Sequence, residues 1–410
     1  MARSFDIPLF YRSPLVSGIK RVRREQDARK KDLSPTVLEF SKVRFKIARH
    51  FGFCYGVENA IEIAYRAVKE NPDKRVFLLS EMIHNPSVNQ DLMLRGVRFL
   101  MSTSGQELVP FDQLTAADIV IVPAFGTTIE ISKRLELLGI DPQVYNATCP
   151  FVERVWKRSA QLGEQGYTIV IHGKARHEET RATFSHAKIS AASVIVRDIT
   201  QARELARHIT KRNDRTGFEA EFAELVSEGF DYEQDLLRIG VVNQTTMLAE
   251  ETQAISEILK EAMREAYGEV TLGEHFADTR DTLCYATSEN QQAVRALVAT
   301  GGDLALVVGG YNSSNTSHLV EICEEVLPTY YIKDAEEILS IDKIRHLNFH
   351  DSKVVETMNW FPFETNKQPV EIVITAGASS PDALVEQVIA RVCGLLGLEA
   401  EFQQSQAKYQ

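Results

Sequence analysis

Three of the five cysteines in this 410-residue chain stand in a polar loop just before an amphipathic run that predicts a helix. They are Cys54, Cys149 and Cys284, and each is followed three positions later by a β-branched residue. A thiol at a helix N-terminus faces unpaired backbone N–H groups and the positive end of the helix dipole, which favour its thiolate. Thiolates are the ligands of iron–sulfur clusters and soft metals. The repeated context therefore predicts a pseudo-threefold chain that brings the three thiols together.

The alternative for any single cysteine is a structural role, because free cysteine is among the most buried residue types. Cys323 and Cys393 fit that alternative, since both lie inside apolar helical runs. The chain has no CxxC pair, so neither a zinc ribbon nor a thioredoxin-type motif is indicated.

Two further loops, residues 310–316 and 375–382, combine small residues with hydroxyl groups before a predicted helix. Backbone N–H groups and the helix dipole make such a loop a natural anion site. The alternative is ordinary N-capping, for which Ser, Thr, Asn and Asp are the standard residues. Two such loops together favour a phosphate ligand, for which the candidate hydroxyl groups are those of Ser313, Ser314, Ser379 and Ser380.

Histidine-containing loops follow two other apolar runs and supply His84, His177 and Glu179. A histidine can donate to a phosphate, and a carboxylate can relay a proton. Zinc protease chemistry is not indicated, because Arg181 stands where an HExxH motif needs its second histidine. The chain also lacks a Walker loop and a GxGxxG fingerprint, so a standard nucleotide site is not expected.

The elements that must position these loops alternate between short apolar, β-branched runs and helical patterns. Such runs predict buried parallel strands in an α/β fold, and ligands bind beyond the carboxyl ends of such strands. The predicted strands are 43–48, 76–79, 119–122, 167–171, 239–242, 304–308 and 370–374. The alternation of strand and helix patterns is interrupted in two segments, residues 211–234 and 341–367. We expect these segments to be surface additions.

The composition is ordinary for a globular protein, with 44% hydrophobic residues, 25% charged residues and a net charge of −11. A net negative charge does not favour binding to nucleic acid or to an anionic membrane. No apolar run approaches the length of a membrane span. Residues 1–50 lean basic but lack the apolar stretch of a secretory signal. We expect a cytoplasmic chain with a loose extension; a plastid stromal location would follow if the extension were a transit peptide, which its acidic residues argue against.

Taken together, these motifs resemble the 4-hydroxy-3-methylbut-2-enyl diphosphate reductase family, the iron–sulfur enzymes that end the methylerythritol phosphate route to isoprenoids. The resemblance covers residues 44–398 and depends on the order of the motifs rather than on any one of them. The matching segments are 52–54, 84–85, 147–150, 177–179, 244–246, 284–287, 312–315 and 375–379.

The resemblance implies a three-lobed α/β fold with mostly parallel sheets around a central [4Fe–4S] cluster. Cys54, Cys149 and Cys284 would ligate three irons and leave the fourth open. We accordingly expect lobes over residues 43–148, 149–282 and 283–410, each carrying one of these cysteines, after an extension over residues 1–42. A ferredoxin- or flavodoxin-type protein would supply the electrons.

The resemblance also assigns roles to the polar residues. Glu179 and Thr245 would deliver the proton to the leaving hydroxyl group. The diphosphate would be held by His84, His177, Ser313, Ser314, Asn315 and Ser379.

One position departs from the family pattern, because Phe125 stands before Gly126 where many members carry a histidine. Phe125 lacks a hydrogen-bonding group, and His172 is a candidate replacement donor. The alternative functions are a non-redox α/β protein that binds a phosphorylated metabolite and, less favoured by the dispersed cysteines, a zinc-loaded structural module.

Overall fold

The computed structural model describes residues 5–211, 214–277, 282–362 and 369–409. Its strands form three sheets, of seven, three and four strands. The strands are β1 (Thr36–Glu39), β2 (Val43–Ile47), β3 (Val76–Leu78), β4 (Arg98–Phe99), β5 (Ile119–Ile121), β6 (Thr168–His172), β7 (Ser193–Val196), β8 (Ile239–Asn243), β9 (Phe276–Ala277), β10 (Leu304–Val308), β11 (Thr329–Ile332), β12 (Lys343–Asn348), β13 (Lys353–Met358) and β14 (Val370–Ala376).

Helices connect most of these strands. They are α1 (Pro14–Gln26), α2 (Tyr55–Glu70), α3 (Pro86–Leu94), α4 (Ile129–Leu137), α5 (Pro150–Glu164), α6 (Glu178–Ala187), α7 (Ile199–Thr210), α8 (Arg215–Phe222), α9 (Tyr232–Asp235), α10 (Ala249–Tyr267), α11 (Leu272–His275), α12 (Tyr285–Val298), α13 (Ser314–Glu324), α14 (Asp382–Leu395) and α15 (Glu399–Ala407).

The three- and four-stranded sheets are parallel, in the orders β4-β3-β5 and β7-β6-β8-β9. The seven-stranded sheet has the order β1-β2-β14-β10-β11-β12-β13, and its central strands β2, β14, β10 and β11 are parallel. Antiparallel strands close both of its edges. Central strands such as β6, β8 and β10 are buried along their whole length, which explains their continuous apolar sequences. The predicted α/β class with mostly parallel sheets is confirmed.

The chain divides into two compact units. Unit 1 consists of residues 1–58, 84–87 and 285–410 and holds the seven-stranded sheet; unit 2 consists of residues 59–83 and 88–284 and holds the other two sheets. The sequence predicts strand β2 in the first lobe, but β2 pairs in parallel with β14, a strand of the last predicted lobe. Sequence periodicity identifies a strand without identifying its partner, which explains this difference. The rest of the three-lobe division remains a prediction.

The expectation of a loose N-terminal extension is wrong for the described part of residues 1–42. Ser13 caps α1, and Leu15 and Val16 on that helix are fully buried. The backbone N–H of Leu15 donates to the Glu386 carboxylate of α14 at 2.9 Å, so α1 is fastened to the body of unit 1.

Of the two segments expected to be surface additions, the first contributes to the interior, whereas the second lies mostly at the surface, at the edge of a sheet. In the first, Phe218 and Phe222 of α8 are buried in the core of unit 2. In the second, β12 and β13 form a hairpin that extends the seven-stranded sheet, and Trp360 beyond it is buried. Of these segments, residues 212–213 and 363–367 lie outside the described residues.

A search of the described helices finds none with the length and hydropathy needed to cross a membrane.

Candidate functional site

In unit 1 the two hydroxyl-rich loops meet at one edge of the seven-stranded sheet. Their strands, β10 and β14, are parallel neighbours, so both loops leave the sheet at its carboxyl edge. The side-chain oxygen of Asn315 accepts a hydrogen bond from the backbone N–H of Ala378 at 2.8 Å, which joins the loops directly. Gly377 makes this approach possible, because a Cβ atom there would lie 1.9 Å from the Thr316 hydroxyl oxygen.

One of the two serines at the start of α13 serves as the helix N-cap, and the hydroxyl group of the other is available to bind a ligand. The Ser313 hydroxyl oxygen accepts from the backbone N–H of Thr316 at 3.3 Å, as an N-cap residue does. The Ser314 hydroxyl group is buried and has no hydrogen-bond partner among the described residues. A buried hydroxyl group without a partner is costly, so Ser314 marks a place where a ligand could bind.

His84 and Ser379 lie together beside these loops. The Ser379 hydroxyl group donates to the His84 carbonyl oxygen at 3.1 Å. Gly310 also lies against this carbonyl group, since a Cβ atom at that position would be 2.5 Å from it. Unit 1 thus contains five of the six residues that the resemblance assigned to the diphosphate, and the sixth, His177, belongs to unit 2. The five are His84, Ser313, Ser314, Asn315 and Ser379.

Cys54 belongs to the same region of unit 1. Its backbone N–H donates to the Ala378 carbonyl oxygen at 3.2 Å, and α2 begins at the next residue. The predicted position immediately before a helix is confirmed for Cys54, and likewise for Cys149 before α5 and Cys284 before α12.

Unit 2 contains a buried pair formed by Glu179 and Thr245. One carboxylate oxygen of Glu179 accepts from the Thr245 backbone N–H at 2.5 Å, and the other accepts from the Thr245 hydroxyl group at 3.0 Å. Glu179 is only 1% exposed. Burying a carboxylate is expensive unless hydrogen bonds satisfy it, so this pair holds the carboxylate in one defined orientation.

His177 stands at the N-terminus of α6, beside this carboxylate. Its Nδ1 atom accepts from the backbone N–H of Glu179 at 3.2 Å. In a neutral imidazole the other nitrogen then carries the proton, so His177 presents Nε2 as a donor.

Cys149 and Cys284 lie close enough in unit 2 to interact electrostatically, and Glu179 interacts with Cys149 in the same way. Cys284 is placed by its backbone N–H, which donates to the Thr245 carbonyl oxygen at 3.1 Å. Burial raises the pKa of Cys149 to about 11, with further contributions from Cys284 and Glu179, and these effects outweigh the backbone N–H groups of α5 that lower it. The amides at the start of α5 thus lower the pKa of Cys149 as the sequence predicted, but burial has the larger and opposite effect.

Phe125 packs edge-on against the His177 ring, with 5.7 Å between ring centroids. His172, the candidate replacement donor, is fully buried, and its Nδ1 atom lies 3.1 Å from the Thr252 hydroxyl oxygen on α10. His172 thus contacts α10 through Nδ1, and its role as a replacement donor remains a prediction.

Sequence reasoning missed the supporting role of Gln244. Its buried side-chain oxygen accepts from the Thr180 hydroxyl group at 3.0 Å and from the backbone N–H of Lys174 at 3.3 Å. These bonds tie the loop after β8 to the start of α6, where Thr245 and Glu179 meet. Its position directly before Thr245 was the available signal.

Among the described residues, no group of three or more His, Cys, Asp or Glu side chains is placed to hold a single metal ion. Cys323 and Cys393 are fully buried, and burial raises the pKa of each thiol to about 12, which agrees with a structural role.

The LytB protein family matches residues 45–393 of the chain. The chain belongs to this family. Its relatives include a protein of Gloeobacter violaceus that is 39% identical over 87% of this chain and 84% of the relative. Another, from Thermosynechococcus vestitus, is 40% identical over 86% of this chain and 85% of the relative. Both are named 4-hydroxy-3-methylbut-2-enyl diphosphate reductase.

A third relative, a chloroplastic protein of the same name from Botryococcus braunii, is 40% identical over 86% of this chain and 70% of the relative. Among solved structures, the E-1-hydroxy-2-methyl-but-2-enyl-4-diphosphate reductase from Plasmodium falciparum is 20% identical, with a TM-score of 0.61. The match covers 87% of this chain and 89% of that structure, and supports the LytB fold for this chain.

Proposed function

We propose that this chain is an oxidoreductase that converts 4-hydroxy-3-methylbut-2-enyl diphosphate to isopentenyl and dimethylallyl diphosphate, the last step of the methylerythritol phosphate pathway. The reaction replaces the allylic hydroxyl group by hydrogen and consumes two electrons and two protons, with loss of water. The observation that carries the proposal is the buried Glu179–Thr245 pair, which lies in the same unit as two interacting thiols.

Cys54, Cys149 and Cys284 would hold a [4Fe–4S] cluster, each binding a different iron, so they need not converge on one ion. The donor set fits this group: Cys149, Cys284 and Glu179 would repel one another if all were ionised, and a bound cation removes that cost. When bound, the cluster supplies the electrons for breaking the C–O bond.

The diphosphate would be bound by His84, His177, Ser313, Ser314, Asn315 and Ser379. The unused Ser314 hydroxyl group and the N-terminal amides of α13 are suited to phosphate oxygens. The Nε2 proton of His177 is a further donor. With the diphosphate held, the substrate hydroxyl group has a defined orientation.

Glu179 and Thr245 would supply the proton to the leaving oxygen. An allylic hydroxide leaves poorly, and protonation makes the leaving group water. In the structure the Thr245 hydroxyl group donates to Glu179 at 3.0 Å. Once Glu179 is protonated, this bond reverses: the hydroxyl group accepts the carboxyl proton and passes its own proton to the leaving oxygen. Burial of Glu179 keeps bulk water away from this exchange.

We further propose that a ferredoxin- or flavodoxin-type protein donates the electrons. A cytoplasmic location fits the bacterial relatives, and the chloroplastic relative leaves the plastid stroma as the alternative.

The deciding experiment is iron and sulfide analysis with an absorption spectrum on anaerobically purified protein, followed by a turnover assay. We expect a broad visible band and about four irons per chain, as for a cubane cluster. Cys284→Ser should lose iron and nearly all turnover, whereas Cys393→Ala, at a buried structural cysteine, should retain both. An iron-free protein that still binds diphosphates after reconstitution would favour a non-redox phosphate-binding protein.

A further inference from the structure

A cavity of about 580 Å³ in unit 1 opens beside Cys54 and is bordered by α1, residues 49–55 and the start of α12. We name it the basic cavity, because its walls carry Arg12, Lys20, Arg24, Lys30 and Arg49. Its acidic residues are Glu58 and Glu289.

The positive charge of the basic cavity is only partly compensated. Lys20 pairs with Asp382 at 2.5 Å and Lys30 pairs with Glu289 at 2.9 Å. Among the described residues, no carboxylate oxygen forms an ion pair within 4 Å of Arg12, Arg24 or Arg49. Asp27, Asp32 and Glu289 interact with Arg49, and Glu58 interacts with Arg12 and Arg24, at longer range. The remaining positive excess on a chain with a net charge of −11 favours an anionic partner.

The floor of the cavity also contains buried nitrogen atoms that lack partners. These are Nε of Arg49, Nε2 of His50 and Nδ2 of Asn290, and none has a hydrogen-bond partner among the residues that the structure describes. Arg49 is 8% exposed and Asn290 is 4% exposed. The Arg49 guanidinium reaches only the carbonyl oxygens of Arg23 and Asp27 in the described chain, at 3.3 and 3.5 Å. Arg49 and Asn290 supply two buried donors, whereas the His50 nitrogen donates or accepts according to its tautomer. Unpaired buried donors are rare in native proteins, and two in one cavity indicate an acceptor-rich ligand.

We propose that the basic cavity is the docking site of an acidic electron-transfer protein, one of whose surface carboxylates enters the cavity and pairs with Arg49. The inference deepens the proposed function, because it names the surface through which the reductant would deliver electrons. Cys54 lines the cavity, so a docked partner would stand against one of the proposed cluster ligands.

A protein fits this surface better than a small anion does. The buried donors occupy only the floor, whereas exposed basic residues of the rim, including Arg24 and Lys30, reach beyond what a small anion contacts. Electron-transfer partners associate through small interfaces and are guided by complementary charge, which an open, basic cavity provides. Helix α1 lies before residue 45, where the family match begins, so this part of the surface is supplied by the N-terminal segment.

The test compares two reductants on the cluster-loaded enzyme: a reduced acidic plant-type ferredoxin and dithionite-reduced methyl viologen, a small cation that needs no docking surface. Arg24→Glu changes the exposed rim and Arg49→Gln changes the floor. Lys353→Glu, on β13 at the other edge of the same sheet, is the matched control.

We expect Arg24→Glu and Arg49→Gln to raise the KM for ferredoxin about tenfold at low salt and to weaken its salt dependence, as loss of a steering charge does. Turnover with methyl viologen should stay at the wild-type level, and Lys353→Glu should behave as wild type with both reductants.

An unchanged KM for ferredoxin in both cavity variants would overturn the proposal. So would calorimetric binding of inorganic phosphate that Arg49→Gln abolishes while the KM for ferredoxin stays unchanged, since the cavity would then be a small-anion site. Absence of turnover with either reductant in the wild type would instead count against the proposed function. Direct titration of ferredoxin against wild type and Arg24→Glu would still decide the docking: weaker binding to the variant supports it, and equal binding overturns it.

Discussion

At the scale of single residues, the site depends on polar groups that are buried and oriented rather than exposed. Glu179 has each carboxylate oxygen occupied by a donor from Thr245, and His177 is oriented by the amide of Glu179 itself. Fixed hydrogen bonds offset the free-energy cost of removing these groups from water. The same hydrogen bonds define the direction in which a proton can leave.

Replacing Glu179 by glutamine separates its structural role from its proposed chemical role. Glutamine has the same shape, but it has no carboxyl proton to deliver. We expect turnover to fall by about 10²–10⁴-fold, the usual contribution of a general acid, with unchanged iron content. The measurement is single-turnover kinetics beside iron analysis.

The matched control is Glu178→Gln, at the neighbouring residue of the same helix. Glu178 lines a separate small cavity with Gly126 and Arg181, so its turnover should stay near that of the wild type. Full turnover in Glu179→Gln would remove Glu179 from the mechanism.

At the scale of elements, close contacts between loops and helices set the position of each functional group. The loop after β14 lies against α13 because residue 377 has no side chain. In unit 2, α4 is joined to α6 by the Ser185 hydroxyl group, which accepts from the Ile129 N–H at 3.0 Å and donates to the Glu130 carboxylate at 2.6 Å.

Gly377→Ala should disturb the anion site. The new methyl group would overlap the hydroxyl oxygen of Thr316, which is fully buried and donates to the Ser313 hydroxyl oxygen at 2.9 Å. We expect a loss of about 1–3 kcal/mol in the free energy of unfolding, typical of overpacking, together with weaker diphosphate binding. Urea unfolding and a diphosphate titration measure the two effects.

Gly394→Ala in α14 is the control, since its Cβ atom would meet only the Glu399 carboxylate, at 3.9 Å. It should leave stability unchanged or raise it by about 0.4–1 kcal/mol. Equal behaviour of the two variants would contradict the close-approach role of Gly377.

The link between α4 and α6 should make stability depend on acid pH. Burial alone would raise the pKa of Glu130, but hydrogen bonds from Lys188 and Ser185 outweigh it and lower the pKa to about 2. Because the folded pKa lies below the ordinary value of 4.5, the contribution is present above pH 4.5 and is lost as the pH falls from 4.5 towards 2.

Urea unfolding of wild type and Glu130→Gln at neutral pH and near pH 3 tests this link. The stability difference between the two proteins should shrink at the lower pH. A difference that is independent of pH would show that the charge of Glu130 does not contribute.

At the scale of the whole molecule, the N-terminal segment is an integral part of unit 1. The family match begins at residue 45, yet α1 buries Leu15, Val16 and Ile19 and binds Glu386 of α14. Leu15→Ala should therefore lower the free energy of unfolding by about 2–5 kcal/mol, the usual cost of such a truncation in a core. Leu9→Ala, at a residue that is 82% exposed, should have almost no effect in the same urea experiment.

The sequence by itself determined the α/β class, the position of each key cysteine before a helix and the ordered polar loops. These features follow from local periodicity and from the chemistry of helix N-termini, which act over a few residues. The roles of the candidate site residues, by contrast, came from the resemblance of the ordered motifs to a known family.

Only the tertiary structure decided which of these groups are in contact and how those contacts change their burial, hydrogen bonding and pKa values. The pairing of β2 with β14, the burial of α1 and Trp360 and the engagement of His172 with Thr252 depend on contacts between distant parts of the chain. The pKa of Cys149 is the clearest case: its helix N-terminus is local and lowers the pKa, but burial and neighbouring acidic groups are tertiary and raise it further than the helix lowers it.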